Sequence, residues 1–180
     1  MIDENKCAET MTDVVLPALE QCRDEGWYDP SAAERSAGIE PLSGIMDTGG
    51  RSGQLHYLCY DSAKFDAIRE QGATATFRGA IVISHGFTEF AEKYDELVWY
   101  FLLAGYSVCV LEHRGHGKSS RDVENPCMVW IDDWRRYVAD LAGFAETIGQ
   151  QYAAGMPLNL FCHSMGGGIG ALVLEQYPTL

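Results

Sequence analysis

The sequence predicts an α/β fold in which a mostly parallel sheet carries helices on both faces. Three short apolar runs rich in β-branched residues are typical of buried strands, and they occupy residues 80–84, 107–111 and 158–162. Segments with helical periodicity separate these runs and follow the last of them. Because strands and helices alternate in this order, successive strands are expected to pair in parallel through helical crossovers.

The remaining elements follow from spacing. The segment at residues 55–60 predicts a further strand before the first apolar run. A helix is predicted from the helical spacing of four residues, with Gly105 as its stop: Tyr94, Leu97, Phe101 and Ala104. A long amphipathic helix with a buried aromatic face is predicted from six residues that step by three and four: Trp130, Trp134, Tyr137, Leu141, Phe144 and Ile148. The last helix covers residues 169–176.

The first 53 residues are predicted to be a polar lead-in to an α/β domain at residues 54–180. A short helix surrounds Val14 to Cys22, where Pro17 starts or kinks it and the segment Asp24–Gly26 ends it. Residues 38–53 are rich in Gly, Ser and Pro, which indicates an extended arm or loop.

Composition excludes several classes of function. The 180 residues are 47% apolar and 22% charged, which is typical of a globular protein. A formal net charge of -13 argues against nucleic-acid partners and anionic lipid surfaces, since both need clustered basic residues. The longest apolar run, residues 97–106, is too short to cross a bilayer. The N-terminus lacks the basic and apolar stretches of a signal peptide, and none of the six cysteines forms a C-x-x-C pair. We therefore expect a reducing, cytoplasmic setting.

The strongest chemical signal is the segment Cys-His-Ser-Met-Gly-Gly at residues 162–167, between a predicted strand and a predicted helix. This is the context of a nucleophile elbow, in which small neighbours such as Gly166 allow a tight turn that lifts Ser164 out of the sheet. The helix N-terminus there favours developing negative charge. The usual pattern is G-x-S-x-G, and Cys162 replaces the first glycine.

A second signal, His85-Gly86-Phe87, directly follows the first apolar strand. A turn here brings a backbone N–H group over the nucleophile, so Phe87 and Met165 are predicted to supply the two N–H groups of an oxyanion hole. Such donors contribute about 10²–10³ in rate each. His85, Gly86 and Gly166 are predicted to support these loops structurally.

A third motif, Glu-His-Arg-Gly-His-Gly-Lys-Ser at residues 112–119, follows the second apolar strand. Together the three motifs, in this order and spacing over residues 55–180, resemble the monoacylglycerol lipase and lysophospholipase group of α/β-hydrolases. The resemblance implies hydrolysis of acyl esters such as monoglycerides or lysophospholipids, with no metal and no cofactor. Two positions depart from the family pattern: Glu112 stands where Asp is common, and Phe90 stands where His or Ser often follows the glutamate.

Other assignments of the same residues fit less well. His113 and His116 are predicted to stabilise their glycine-rich loop, and His163 is expected to point away from the serine beside it. The segment Gly117–Ser119 resembles the end of a phosphate-binding loop but lacks that motif's earlier glycine. The spacing Gly166-x-Gly168 resembles a dinucleotide-binding fingerprint, but three residues separate its first glycine from the preceding strand. Three aromatic side chains are candidates for lining an acyl pocket: Phe87, Phe90 and Trp99.

The triad order of the family is Ser, then an acid, then His. Residues 165–180 contain no histidine, and Glu175, their one acid, sits on the helix leaving the elbow. The resemblance therefore implies an α/β-hydrolase fold truncated after the nucleophile helix. Three explanations stay open: a truncated part of a complete hydrolase, a natural half that needs a second polypeptide as its C-terminal half, or a non-catalytic remnant that binds a lipid or a protein.

Overall fold

The fold is described by a computed structural model covering residues 2–42, 51–68 and 75–179. One five-stranded mixed sheet organises these residues, in the spatial order β1-β2-β4-β3-β5. Its strands are β1 (Arg23–Tyr28), β2 (Leu55–Tyr60), β3 (Gly79–Ser84), β4 (Tyr106–Leu111) and β5 (Leu158–Cys162). The strands β4, β3 and β5 pair in parallel, whereas β1 and β2 are antiparallel to their neighbours.

Eight α-helices surround the sheet in the described ranges. They are α1 (Cys7–Thr10), α2 (Leu16–Cys22), α3 (Ser31–Ser36), α4 (Ser62–Ile68), α5 (Asp95–Leu103), α6 (Arg135–Phe144), α7 (Gln150–Ala153) and α8 (Met165–Gln176). Short 3₁₀ turns at Glu4–Lys6 and Ala91–Tyr94 and π-helical turns at Met11–Val15 and Ala145–Gly149 join several of them. None of the helices in these ranges has the length and apolarity of a membrane-spanning segment.

Two apolar clusters fill the space between helices and sheet. On one face, side chains of α2, α4 and α5 pack against the sheet around Ile81 and Val108. On the other face, α6 and α8 pack around Val82 and Cys109. Successive residues of β3 and β4 therefore point into opposite clusters, as alternation along a strand requires. This arrangement confirms the predicted sheet with helices on both faces.

The predicted strands at residues 55–60, 80–84, 107–111 and 158–162 are confirmed, as is a helix in the segment that Gly105 ends. The prediction that residues 158–162 form a buried strand is wrong, because β5 lies at the edge of the sheet and none of its residues is buried. The prediction for residues 1–53 is wrong in omitting strand β1. The segment Asp24–Gly26 follows helix α2, but it lies inside β1, which pairs antiparallel with β2. Most residues of β1 are only half-buried, so its sequence carries no apolar alternation. Of the predicted arm, residues 43–50 lie outside the described residues.

The long amphipathic helix is shorter than predicted. It begins at Arg135, so Trp130 and Trp134 precede it, and they are 45% and 53% exposed rather than buried. Asp133 explains the late start, because its carboxylate accepts the Arg135 N–H at 3.0 Å and turns the chain there. The prediction that these two tryptophans lie in the core is wrong, whereas Phe144 is fully buried as predicted.

Candidate functional site

The carboxyl ends of β3, β4 and β5 meet at one edge of the sheet, and the loops that leave them carry all three sequence motifs. Ser164 lies between β5 and α8 with φ 51° and ψ −118°, a backbone conformation that non-glycine residues rarely adopt. The residue is exposed, and its hydroxyl caps no N–H of α8. Strained positions of this kind cluster at functional sites, so the geometry marks Ser164 as a candidate.

Close packing around the turn explains its small residues. A Cβ on Gly166 would lie 2.1 Å from the Ser84 carbonyl oxygen, so only glycine lets α8 approach the end of β3. A Cβ on Gly170 would lie 2.4 Å from the Cys162 sulfur. Cys162, which replaces the usual glycine, is therefore accommodated by a glycine in the second turn of α8.

The loop after β3 is held by the His85 side chain. The buried imidazole donates from Nδ1 to the Gly86 carbonyl oxygen at 2.7 Å and accepts the His113 N–H at Nε2, at 2.9 Å. Burial lowers the pKa of His85 to about 4, so the ring is neutral and has no free nitrogen for proton transfer. These two contacts connect the loop after β3 to the loop after β4.

Glu89 links the same loop to the elbow. Its Oε2 accepts the Gly86 N–H at 2.7 Å and the Tyr94 hydroxyl at 2.5 Å, and lies 3.1 Å from His163 Nδ1. Burial favours the neutral acid, but the bonds from Lys93, Tyr94 and Gly86 outweigh it and hold the pKa of Glu89 well below its ordinary value. His163 points towards Glu89 rather than Ser164, as predicted. The sequence gives no sign of this central role of Glu89, because its partners are distributed over three segments.

The backbone N–H groups of Phe87 and Met165 donate no hydrogen bond within the described ranges. Met165 begins α8, whose first-turn N–H groups have no intrahelical acceptor. The Phe87 side chain is 56% exposed and its ring meets His116 edge to face, at a centroid distance of 5.7 Å. Phe90 is also exposed, whereas Trp99 packs against Phe65 in the core. Trp99 is therefore no longer a candidate for lining an acyl pocket, whereas Phe87 and Phe90 remain candidates.

The loop after β4 is built on Glu112. One carboxylate oxygen accepts the Ala91 N–H at 2.9 Å, and the other accepts the Lys118 N–H at 2.6 Å and lies 2.8 Å from His56 Nδ1. Gly117 is required because a Cβ there would lie 2.1 Å from the Glu112 carboxylate. Although burial opposes ionisation, the bonds from His56 and the two backbone N–H groups lower the pKa of Glu112.

The two histidines of the loop after β4, His113 and His116, are buried and neutral. His113 Nε2 lies 2.9 Å from the Ser84 hydroxyl, and His116 Nδ1 donates to the Arg114 carbonyl oxygen at 3.0 Å. Burial lowers the pKa of both rings. His113 thus connects the loop after β4 to the end of β3, and His116 bonds within the loop, where both are predicted to stabilise it. None of the five histidines forms a hydrogen bond with Ser164 within the described residues.

A buried ion cluster ties this loop to the N-terminal segment. Arg114, which is fully buried, bonds to Glu34 of α3 at 2.9 Å and to Asp140 of α6 at 3.2 Å. Arg136 of α6 reaches the same Glu34 oxygen at 2.7 Å. Burial raises the pKa of Asp140 to about 6, although Arg114 opposes the shift.

Two cavities lie at opposite ends of β4. One of about 220 Å³ lies between the loops after β3 and β4, where Phe90, His116 and Arg121 line it. A larger cavity of about 520 Å³ lies beside Ser107, at the opposite end of β4, where Asp24 and Asp61 line it. The smaller cavity is the one next to the motifs. In the described ranges, no group of three or more His, Cys, Asp or Glu side chains is arranged to hold a metal ion.

Comparison with known proteins identifies relatives of this arrangement. The sequence profile described as "Serine aminopeptidase, S33" matches residues 75–180, more than half of the chain. The chain is 35% identical over 100 residues to lysophospholipase L2 of Escherichia coli K12, which covers 54% of the chain and 28% of that protein. It is 36% identical over 108 residues to monoglyceride lipase of Mus musculus, covering 59% of the chain and 33% of the relative. The chain thus spans about a third of the length of these relatives.

Solved structures agree on the fold. A soluble variant of monoglyceride lipase from Saccharomyces cerevisiae, in complex with a substrate analog, superposes with a TM-score of 0.54 at 26% identity, covering 69% of this chain and 37% of that one. A carboxyl esterase from Bacillus coagulans, in complex with glycerol, gives a TM-score of 0.57 at 22% identity, covering 88% of this chain and 41% of that one.

Proposed function

The chain belongs to the serine aminopeptidase S33 family of α/β-hydrolases, and from that premise we propose that it carries the nucleophile and oxyanion hole of an enzyme that hydrolyses acyl esters of lipids. The observation that carries the proposal is the conformation of Ser164. An exposed serine at φ 51° between a strand and a helix, next to the Met165 N–H at the start of that helix, suits attack on a carbonyl carbon. The relatives' names point to monoglycerides or lysophospholipids as the substrate class.

In the proposed reaction, the Ser164 oxygen forms a bond to the ester carbonyl carbon as its proton passes to a base. The N–H groups of Phe87 and Met165 hold the negatively charged oxygen of the tetrahedral intermediate. The carbon–oxygen bond of the ester then breaks, and the leaving alcohol takes the proton from the base. Water then attacks the carbonyl carbon of the acyl-serine as the base takes its proton. The bond between that carbon and the Ser164 oxygen breaks, the serine recovers the proton, and the fatty acid is released.

We place the base and its orienting acid outside these 180 residues. His85, His113 and His116 are buried in loop contacts, His56 lies between two glutamates, and His163 faces Glu89. A serine hydroxyl without a base is a weak nucleophile. The 180-residue chain alone is therefore expected to turn over esters very slowly, and a histidine and an acid from further sequence or a second polypeptide would complete the site.

The test is chemical rescue by a small external base. The 180-residue chain is incubated with a fluorophosphonate probe and increasing imidazole, and the modified residue is mapped by peptide mass. We expect labelling of Ser164 that increases with imidazole concentration, since imidazole can take the place of the absent histidine. Ser164→Ala should remove this labelling. Ser36→Ala, which changes an exposed serine on α3, is the matched control and should label as wild type does.

The outcomes separate the parts of the proposal. No labelling at any imidazole concentration, or equal labelling of Ser164→Ala, would overturn the nucleophile assignment and favour a non-catalytic, lipid-binding role. Rapid labelling of Ser164 without imidazole would retain the nucleophile but contradict the external base. Binding of a monoacylglycerol ether, which cannot be hydrolysed, reports on substrate recognition independently of chemistry.

A further inference from the structure

Two free cysteines face each other in the centre of the sheet. Cys59 of β2 lies directly opposite Cys109 of β4, and both are fully buried. They share the apolar cluster that lies under α6 and α8. Cys22, the other fully buried cysteine, belongs to the cluster on the opposite face of the sheet. Among the fully buried cysteines, Cys59 and Cys109 are therefore neighbours of each other and not of Cys22.

The register of the ladder places this pair at a site suited to a disulfide. The Glu112 N–H donates to the His56 carbonyl oxygen, which makes those two residues a hydrogen-bonded pair. Pairs alternate along an antiparallel ladder, so Cys59 and Cys109, three steps further along it, form a non-hydrogen-bonded pair. The Cα atoms of such pairs are about 4.5 Å apart, within the range of about 4.4–6.8 Å found across disulfides.

From this placement we propose that Cys59 and Cys109 are a modification site, at which a hydroperoxide forms an intrachain disulfide that joins β2 to β4. One thiol attacks the peroxide oxygen, which breaks the O–O bond, releases an alcohol or water, and leaves a sulfenic acid. The second thiol attacks that sulfur, forms the S–S bond and releases water. Overall, two thiols are oxidised and one peroxide is reduced.

Burial controls the rate of this reaction rather than its outcome. Burial raises the pKa of the Cys59 thiol well above its ordinary value, and the adjacent Cys109 raises it further, so little thiolate is present in the closed sheet. Attack then requires a transient local opening that admits the peroxide. Once formed, the disulfide closes a loop of about 50 residues and constrains the unfolded chain, so the oxidised protein is expected to melt about 10 °C higher.

The experiment uses the intact chain treated with hydrogen peroxide. Remaining thiols are alkylated after the reaction, and the protein is digested without reduction for peptide mapping. We expect a linked peptide that contains Cys59 and Cys109, in a monomer whose melting temperature falls again when dithiothreitol is added. Cys127→Ser removes an exposed thiol that could join two chains, and it should leave the linked peptide unchanged.

Two results would overturn the proposal. The first is recovery of both Cys59 and Cys109 in alkylated form after peroxide treatment in mild urea, where local opening is frequent. The second is a linked peptide that joins either residue to a different cysteine. Because the readout is made on the wild-type sequence, the result does not depend on whether Cys59→Ala or Cys109→Ala folds, and it is independent of any esterase activity.

Discussion

His56 and Glu112 form a buried pair in which the imidazole Nδ1 and a carboxylate oxygen are 2.8 Å apart, with side-chain exposures of 0% and 2%. The second ring nitrogen of His56 meets Glu25 of β1, also at 2.8 Å. The pair therefore connects the antiparallel edge of the sheet to the loops after β3 and β4, through the Ala91 and Lys118 N–H groups that Glu112 accepts. Glutamate, one methylene longer than the aspartate common in this family, still fits beside Gly117.

Glu112→Gln should lower the free energy of unfolding by about 3–5 kcal/mol, because it leaves buried N–H donors without their anionic acceptor. Urea denaturation at pH 7 measures the change. The matched control is Glu124→Gln, an exposed residue of the same long connection, which should change stability by no more than about 0.5 kcal/mol.

The effect of Glu112→Gln should also depend on pH with a defined sign. The pKa of Glu112 is lowered in the folded protein, so its stabilisation is complete above the unfolded pKa of about 4.5 and is lost as pH falls through the lower, folded value. The stability gap between wild type and Glu112→Gln should therefore narrow below pH 4.5. A gap that widens on acidification would contradict the ionised, hydrogen-bonded carboxylate.

Ser164→Gly should be more stable than Ser164→Ala by about 1 kcal/mol, although both remove the hydroxyl. The reason is the backbone, since φ 51° with ψ −118° is strained for any residue with a Cβ and accessible to glycine. Thermal unfolding of the two variants measures the difference. Equal stability would mean that the elbow is relaxed, and the structural basis for assigning Ser164 would be lost.

Three adjacent glycines at the start of α8 should respond differently to alanine. Gly166→Ala forces a Cβ against the Ser84 carbonyl oxygen and should cost about 1–3 kcal/mol. Gly168→Ala enters open space on a helix and should stabilise the protein by about 0.5–1 kcal/mol, as should Gly167→Ala. Urea unfolding of the three variants gives the comparison, and a destabilising Gly168→Ala would show that the described packing of α8 is incorrect.

The parts of this fold that the sequence predicts are those whose determinants are local. Strands β3 and β4 are apolar runs covered on both faces, β5 is a similar apolar run at the edge of the sheet, and the elbow is a contiguous motif. Strand β1 escapes prediction because it is an edge strand with half-buried faces and polar residues. The contacts of Glu34 are invisible for another reason: its partners Arg114 and Arg136 lie 80 and 102 positions away in the chain.

The site shows the same division between local and distant determinants. Ser164 and the loop after β3 are identifiable from their motifs, whereas the acceptor role of Glu89 requires knowing that the elbow returns to that loop. Residues that position a site from other elements carry no local pattern. The helical spacing of Trp130 and Trp134 predicts the wrong helix start. The periodic pattern begins before Asp133, whose carboxylate accepts the Arg135 N–H where the helix actually starts.

Asp140→Asn should reveal a stabilisation with the opposite pH sign to that of Glu112. Because burial raises the pKa of Asp140 from 3.8 to about 6, the folded state binds a proton more readily than the unfolded chain. Wild-type stability should therefore increase relative to Asp140→Asn as pH falls from 7 to 4, by about 2 kcal/mol. Urea denaturation at several pH values tests this, with the exposed Asp13→Asn as the control. A gap that does not change with pH would contradict the described burial of Asp140 beside Arg114 and Glu34.

Truncations along the α6 region should separate exposed from buried apolar residues. Leu141→Ala, at a fully buried position, should cost about 2–5 kcal/mol through lost burial and a residual cavity. Trp134→Ala, at a side chain that is 53% exposed, should cost less than about 1 kcal/mol despite removing more atoms. If the tryptophan truncation proved as costly as that of Leu141, the periodic helix predicted from the sequence would be correct and the start of α6 at Arg135 would be wrong. Iodide quenching of tryptophan fluorescence, compared between wild type and Trp134→Ala, gives an independent measure, because removing a solvent-exposed Trp134 should reduce the quenchable fraction and removing a buried one should not.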